Sequence, residues 1–329
     1  MTQRVEDGSR GPTRPESEKE WRLIQRIVTE SVSEQRRSRR WGIFFKLLTF
    51  VYLFLIFFAV RFSMSGSGIN VAPGEHTAIV DIEGVIMAGE SASADRVITA
   101  LRAAFEAPDA KAVVIRINSP GGSPVQAGYI YDEIRRLRTE YPDKEAYAVI
   151  VDIGASGGYY IAAAADMIYA DKASLVGSIG VTATGFGFVE AIEKLGVERR
   201  VFTAGAHKAF LDPFIPVKPY ERELWEDVLQ TTHQQFIEQV RKGRGDRLEE
   251  ENELLYSGVI WSGEQALDLG LIDGLGSSSY VAREIIGAEE LVDYTLRENP
   301  FENLVGQLGV SIGKGISALF VEQSFPQLR

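Results

Sequence analysis

The chain of 329 residues contains no cysteine. Disulfides, thiolate catalysis and cysteine-bound metals are therefore excluded. Histidine is scarce. His76, His207 and His233 are the only three, so a mechanism that needs an imidazole base must choose among them. A basic surface is also missing. Lys and Arg total 35 against 46 Asp and Glu, a net charge of −11. The imbalance lies in the body, because residues 1–40 carry ten basic and seven acidic side chains while the remainder carries 25 and 39. An acidic body offers phosphates no electropositive face, which argues against a nucleic-acid partner.

Apolar residues make up 45% and charged residues 25%, enough for one sizeable core beside one anchor. Residues 1–18 mix Gly, Pro, Arg and Glu and read as disordered. From Glu16 the spacing turns helical, with Trp21, Ile24, Ile27, Val28 and Val32 on one face. Arg36, Arg37, Arg39 and Arg40 then precede residues 41–62, an apolar run broken only by Lys46 and Arg61. The uncharged core, 47–60, is short for a ~30 Å hydrocarbon layer, and Lys46 snorkelling toward headgroups closes the gap. A forty-residue front extension is too long for an ordinary signal peptide, so the expectation is an uncleaved transmembrane anchor in contact with lipid. The positive-inside rule places residues 1–40 in the cytosol and the rest outside. Residues 63–75 form a Ser/Gly/Pro linker.

Beyond the linker, strand and helix patterns alternate. Residues 76–82, 111–117, 146–151, 167–170 and 197–203 read as strands. Residues 93–107, 124–141, 159–165, 188–195 and 220–241 read as helices. The alternation predicts an α/β fold with mostly parallel strands over residues 76–300. Residues 301–329 are apolar and Gly-rich, with Leu304, Leu308, Ile312 and Ile316 at helical spacing.

Two loops share one physical logic. Asn118-Ser119-Pro120-Gly121-Gly122 follows a strand and opens a helix, and so does Gly154-Ala155-Ser156-Gly157-Gly158. At such junctions backbone N–H groups are unpaired, and glycine lets a substrate carbonyl approach them. A serine there, with N–H donors from both loops, has the parts of a nucleophile and an oxyanion hole. It would equally serve as an N-cap. A serine hydroxyl needs a base. His207 is the one histidine in a plausible place, and Lys208 is the other choice, set in the small, apolar run Ala204-Gly205-Ala206-His207-Lys208-Ala209-Phe210-Leu211. A lysine acts as a base only when desolvated, and a loop lysine in solvent fits the same residues.

With these motifs in view, the sequence resembles the signal peptide peptidase A family in its short, single-copy bacterial form. The resemblance runs over about residues 78–273. It rests on Asn118-Ser119-Pro120-Gly121-Gly122, Ala155-Ser156-Gly157-Gly158-Tyr159-Tyr160, Gly177-Ser178-Ile179-Gly180-Val181 and Gly205-Ala206-His207-Lys208. It implies a ClpP/crotonase-like domain of repeated β-β-α units behind an N-terminal transmembrane helix. It implies that Ser156 is the nucleophile, Lys208 the general base and Ser178 the residue orienting the lysine. Gly157 with Gly121 or Gly122 would supply the oxyanion hole, and His207 would be a bystander. No cofactor and no metal are implied. The family also implies a homo-oligomer in which the lysine reaches a neighbour's serine.

The expected function is a serine endopeptidase degrading cleaved signal peptides at the outer face of a bacterial inner membrane. Rival readings are a related membrane-bound peptidase acting on other membrane proteins, a crotonase-type acyl-CoA enzyme with a cytosolic site, and a non-catalytic membrane scaffold.

Overall fold

The computed structural model describes Trp21, Arg26, residues 39–58 and residues 74–297. The chain divides into two compact units, Met1–Gly68 and Ile69–Arg329. The C-terminal stripe at 304–316, most of the N-terminal helical stretch and most of the linker lie outside the described residues.

In the first unit, helix α1 runs Arg39–Phe58. At ~1.5 Å per residue its 20 residues span about 30 Å. It is the one described helix long and apolar enough to cross a membrane by length and composition, and none of it is buried against protein. Lys46 lies within it. Residues 59–62, the end of the apolar run, fall outside the described span.

The second unit is built on a mixed sheet of eight strands: β1 (His76–Glu83), β2 (Ala110–Ser119), β3 (Ala146–Ala155), β4 (Met167–Ala170), β5 (Leu175–Gly177), β6 (Ile260–Ser262), β7 (Gly274–Leu275) and β8 (Leu291–Asp293). The order is β6-β5-β3-β2-β1-β8, with β4 on β3 and β7 on β4. All pairs are parallel except β5 with β6. The main helices are α2 (Ala94–Glu106), α3 (Pro124–Glu140), α4 (Gly157–Ala162), α5 (Val189–Lys194), α6 (Pro219–Arg244) and α7 (Gly263–Asp268).

The strands form where β-branched residues alternate between two covered faces. Val113, Ile115 and Ile117 of β2 enter the main core with α2 and α3. The intervening Ala112 and Val114 join a smaller cluster with Ile79, Tyr147, Val149 and Tyr169 on the other face. Helix α2 buries Val97, Leu101, Ala104 and Phe105 at the steps of one helical face. Removing a side chain such as Leu101, which has no exposure, costs about 2–5 kcal/mol.

One topological detail makes the site. Strand β3 carries β2 along one edge. Along its other edge it carries first β4, at Tyr147–Ile150, and then β5, at Ile153–Ala155. The turn between β4 and β5 is pinned by the Ser174 hydroxyl, which donates to the Val151 carbonyl. As a result β5 flanks the last residues of β3, and both end together at the carboxyl edge of the sheet. In parallel α/β sheets that edge is where ligands bind, because strand-to-helix turns expose unpaired amides there.

The strand expected at residues 197–203 does not form. Those residues are exposed, and the segment has no ladder partner. Its β-branched composition reads as a strand, but a strand exists only where an edge is free to pair with it.

Candidate active site

Ser156 stands at the junction of β3 and α4. Its backbone takes φ 53° and ψ −122°, a conformation costly for a residue with a Cβ. Its amide donates to the Gly177 carbonyl at 2.8 Å, and its carbonyl accepts from Tyr160 at 2.9 Å. Those two bonds hold the kink. The serine occupies the N-cap position of α4, yet its hydroxyl makes no capping bond. The strained turn therefore aims the hydroxyl away from the helix, into a cleft of about 610 Å³.

The two glycine loops meet beside it. A Cβ on Gly121 would come within 2.7 Å of the Gly157 nitrogen and of the Ser156 Cβ. A Cβ on Gly122 would lie 2.2 Å from the Ile86 carbonyl oxygen. Both glycines have positive φ, 98° and 153°, so other residues are excluded by strain as well as by space. The Gly121 amide donates to the Ser119 hydroxyl at 3.1 Å, and that hydroxyl donates to the Gly84 carbonyl at 2.6 Å. Among the described residues no such bond engages the amides of Gly122 or Gly157, and both residues line the cleft.

Ser178 faces the same cleft. It too has positive φ, 51°, and its amide donates to the Val259 carbonyl at 2.8 Å. The structure thus brings Gly122, Ser156, Gly157 and Ser178 together from three loops, with Gly121 directly behind them.

Lys208 is not among them. It lies on an arm, residues 182–220, in which no side chain is buried. Phe202 is 93% exposed and Phe186 82%. The arm has local order of its own: Phe188 stacks on Phe214 at 5.5 Å, and Arg199 pairs with Asp212 at 2.9 Å. The dry enclosure expected around Lys208 does not form within one chain, because small residues create a pocket only where something packs over them.

The remaining walls of the cleft went unnamed in the sequence. Thr232, Gln235 and Phe236 come from α6, and Ser257 and Gly258 from the turn before β6. Nothing in the sequence near 257–258 marks it. Phe236 was visible only as one of the apolar positions of α6. None of the residues lining the cleft is acidic, basic or histidine. Tyr160 lines it too, and burial first, with Asp132 and Tyr131 adding to it, pushes its phenol up to about 12, so it stays protonated at neutral pH. The histidines lie elsewhere. His76 begins β1, at the amino edge of the sheet, bonded to the Tyr294 hydroxyl at 3.0 Å. His207 is exposed and edge-on to Tyr220 at 5.4 Å. His233 is bonded to the Ile179 carbonyl at 3.1 Å.

This arrangement supplies a hydroxyl and two amide donors at the carboxyl edge of a parallel sheet, the equipment of acyl transfer. The model of peptidase family S49 matches residues 140–291. A protein of Brucella abortus named Na(+)/H(+) antiporter NhaA is 44% identical over 214 residues, 64% of this chain and 29% of that one. The Arabidopsis thaliana chloroplastic serine protease SPPA is 34% identical over 195 residues, 58% of this chain and 28% of that one. A Synechocystis protein carrying a provisional protease name is 32% identical over 198 residues, 60% of this chain and 69% of that one. The chain spans about a third or less of the length of the relatives it matches most strongly. With these matches set beside the cleft, the chain belongs to peptidase family S49, the family of signal peptide peptidase A.

Proposed function

We propose that this peptidase is a membrane-anchored serine endopeptidase whose Ser156 works with Lys208 of a neighbouring copy. One observation carries the reading: the cleft holds an unengaged serine hydroxyl and amide donors but no base of its own, while the conspicuous lysine sits on an uncovered apolar arm. A second copy seated on that arm would cover Phe186 and Phe202, exclude water from Lys208 and favour its neutral form.

The chemistry then runs as acyl transfer. The Ser156 Oγ forms a bond to the substrate carbonyl carbon while its proton passes to the Lys208 Nζ. The oxyanion accepts hydrogen bonds from the Gly122 and Gly157 amides. Gly121 is set aside because its amide serves Ser119. The ammonium, oriented by Ser178, returns the proton to the leaving amine as the C–N bond breaks. Water hydrolyses the acyl-serine by the same route in reverse.

The strand-loop-helix units around a mostly parallel sheet suit a ClpP/crotonase-like fold. Helix α1 would anchor the chain, with residues 1–40 cytosolic and the peptidase domain outside. An anchored cleft lined by Phe236, Ala127 and Val181 suits short apolar peptides released in the membrane, remnant signal peptides foremost.

The test is complementation between inactive chains. Ser156→Ala and Lys208→Ala should each lower peptide cleavage by at least ~10³-fold, and His207→Ala should leave most of it. Mixing the two inactive chains before assembly should restore a measurable fraction. A Lys208→Ala chain with full activity would eliminate the dyad.

A further inference from the structure

We infer that His233 is a positioning residue for this reaction, tethering the loop that carries Ser178 to helix α6. The inference rests on the dyad reading above, in which Ser178 orients the lysine.

The His233 Nε2 lies 3.1 Å from the Ile179 carbonyl oxygen, in a partly buried setting. A carbonyl only accepts, so Nε2 carries the proton and donates. The bond spans the two walls of the cleft. On one side Thr232, Gln235 and Phe236 of α6 face it, and on the other Ser178, Gly180 and Val181 do. His233 is therefore a polar link between the helix and the loop.

The loop needs holding. Ser178 sits at φ 51°, in the left-handed region that a residue with a Cβ rarely adopts. Two restraints flank it. The Ser178 amide is bonded to Val259, and Gly180 packs so closely on Gly258 that a Cβ there would meet its Cα at 3.1 Å. Both tie the loop to the 258–259 turn, and among the described residues the His233 bond is the hydrogen bond that ties it to α6, beside the buried Ile179 side chain in the core cluster that holds Phe236. The same point is the root of the exposed arm, which leaves at Thr182 and rejoins the domain at α6. Release of the tether would let the Ser178 hydroxyl and the base of the arm drift together, and displacements of about 1 Å near a reacting centre cost up to ~10²-fold in rate.

The experiment uses the full-length chain in detergent. His233→Phe keeps the ring volume and removes the donor. His233→Gln keeps a donor at nearly the Nε2 position. His233→Phe should lower kcat about 10-fold to 100-fold with KM within about twofold, and slow the labelling of Ser156 by a serine-directed phosphonate to the same degree. His233→Gln should recover to within about threefold of the parent. Ser178→Ala added to His233→Phe should give little further loss, because both remove the same function. An unchanged kcat in His233→Phe would overturn the inference, as would full multiplication of the two losses. Activity surviving in Lys208→Ala, measured alongside, would instead strike the dyad itself, so the two failures are distinguishable.

Discussion

The Gly121 amide donates to the Ser119 hydroxyl at 3.1 Å, while the next residue, Gly122, lines the cleft with no hydrogen bond from its amide among the described residues. Ser119 has no exposure, and its hydroxyl donates a hydrogen bond to the Gly84 carbonyl. It therefore holds the first glycine loop against the segment after β1. Ser119→Ala orphans the buried Gly121 amide at about 1–3 kcal/mol. Urea unfolding should report that loss, and kcat should fall more than tenfold as the Gly122 amide loses its aim. Undiminished kcat in a destabilised Ser119→Ala chain would show that the loop's position does not depend on this bond.

The strain at Ser156 can be read directly. Its backbone is costly for any residue with a Cβ, about 1–3 kcal/mol, and glycine escapes that cost while losing about 0.5–1 kcal/mol in chain entropy. Ser156→Gly and Ser156→Ala should both be inactive, and the glycine chain should be the more stable by about 1 kcal/mol. Thermal melts of the two side by side decide it. A glycine chain that melts at or below the alanine chain would mean the turn is unstrained.

Phe202, 93% exposed on the arm, touches too little of its own chain to matter for folding. Phe202→Glu should leave the melting of the isolated domain contacts unchanged, within about 0.5 kcal/mol. The same change should lower the assembled mass seen by light scattering in detergent, and cleavage should fall with it. Unchanged mass together with unchanged cleavage would remove the arm from the proposed assembly.

Glu133 predicts an acid limb of stability. Its carboxyl is held at about 2, first by the Arg136 hydrogen bond, against the opposing pull of burial, and then by Arg102. The Arg102 and Arg136 nitrogens lie 2.7 Å from its Oε1. A folded value below the usual 4.5 means that the stabilisation is fully present above pH ~4.5 and is lost as pH falls toward 2. The two arginines are half exposed, so solvent screening reduces the contribution to about 1–2 kcal/mol. Glu133→Gln should destabilise by that amount at pH 7 and flatten the loss between pH 5 and pH 3 in urea titrations. An equal acid slope in both chains would place the limb on other carboxylates.

Much of this protein was decided locally. The β-branched runs of β1, β2 and β3 and the helical spacing of α2, α3 and α6 have periods that only one kind of element can bury, so those elements were readable without a fold. The Gly-Gly loops after β2 and β3 were readable because only glycine tolerates such close backbone approach. What tertiary structure alone decided is pairing. Residues 197–203 have strand composition but lie on the exposed arm and pair with no strand of the sheet. Gly122 rather than Gly121 faces the cleft because Ser119 reaches back to Gly84, a contact 35 residues away. The cleft's far wall, Thr232 to Gly258, comes from segments brought together by the return of α6. The exposure of Lys208 is likewise a packing outcome: a sequence can make a lysine's surroundings apolar, but only a second surface closing over it can make them dry.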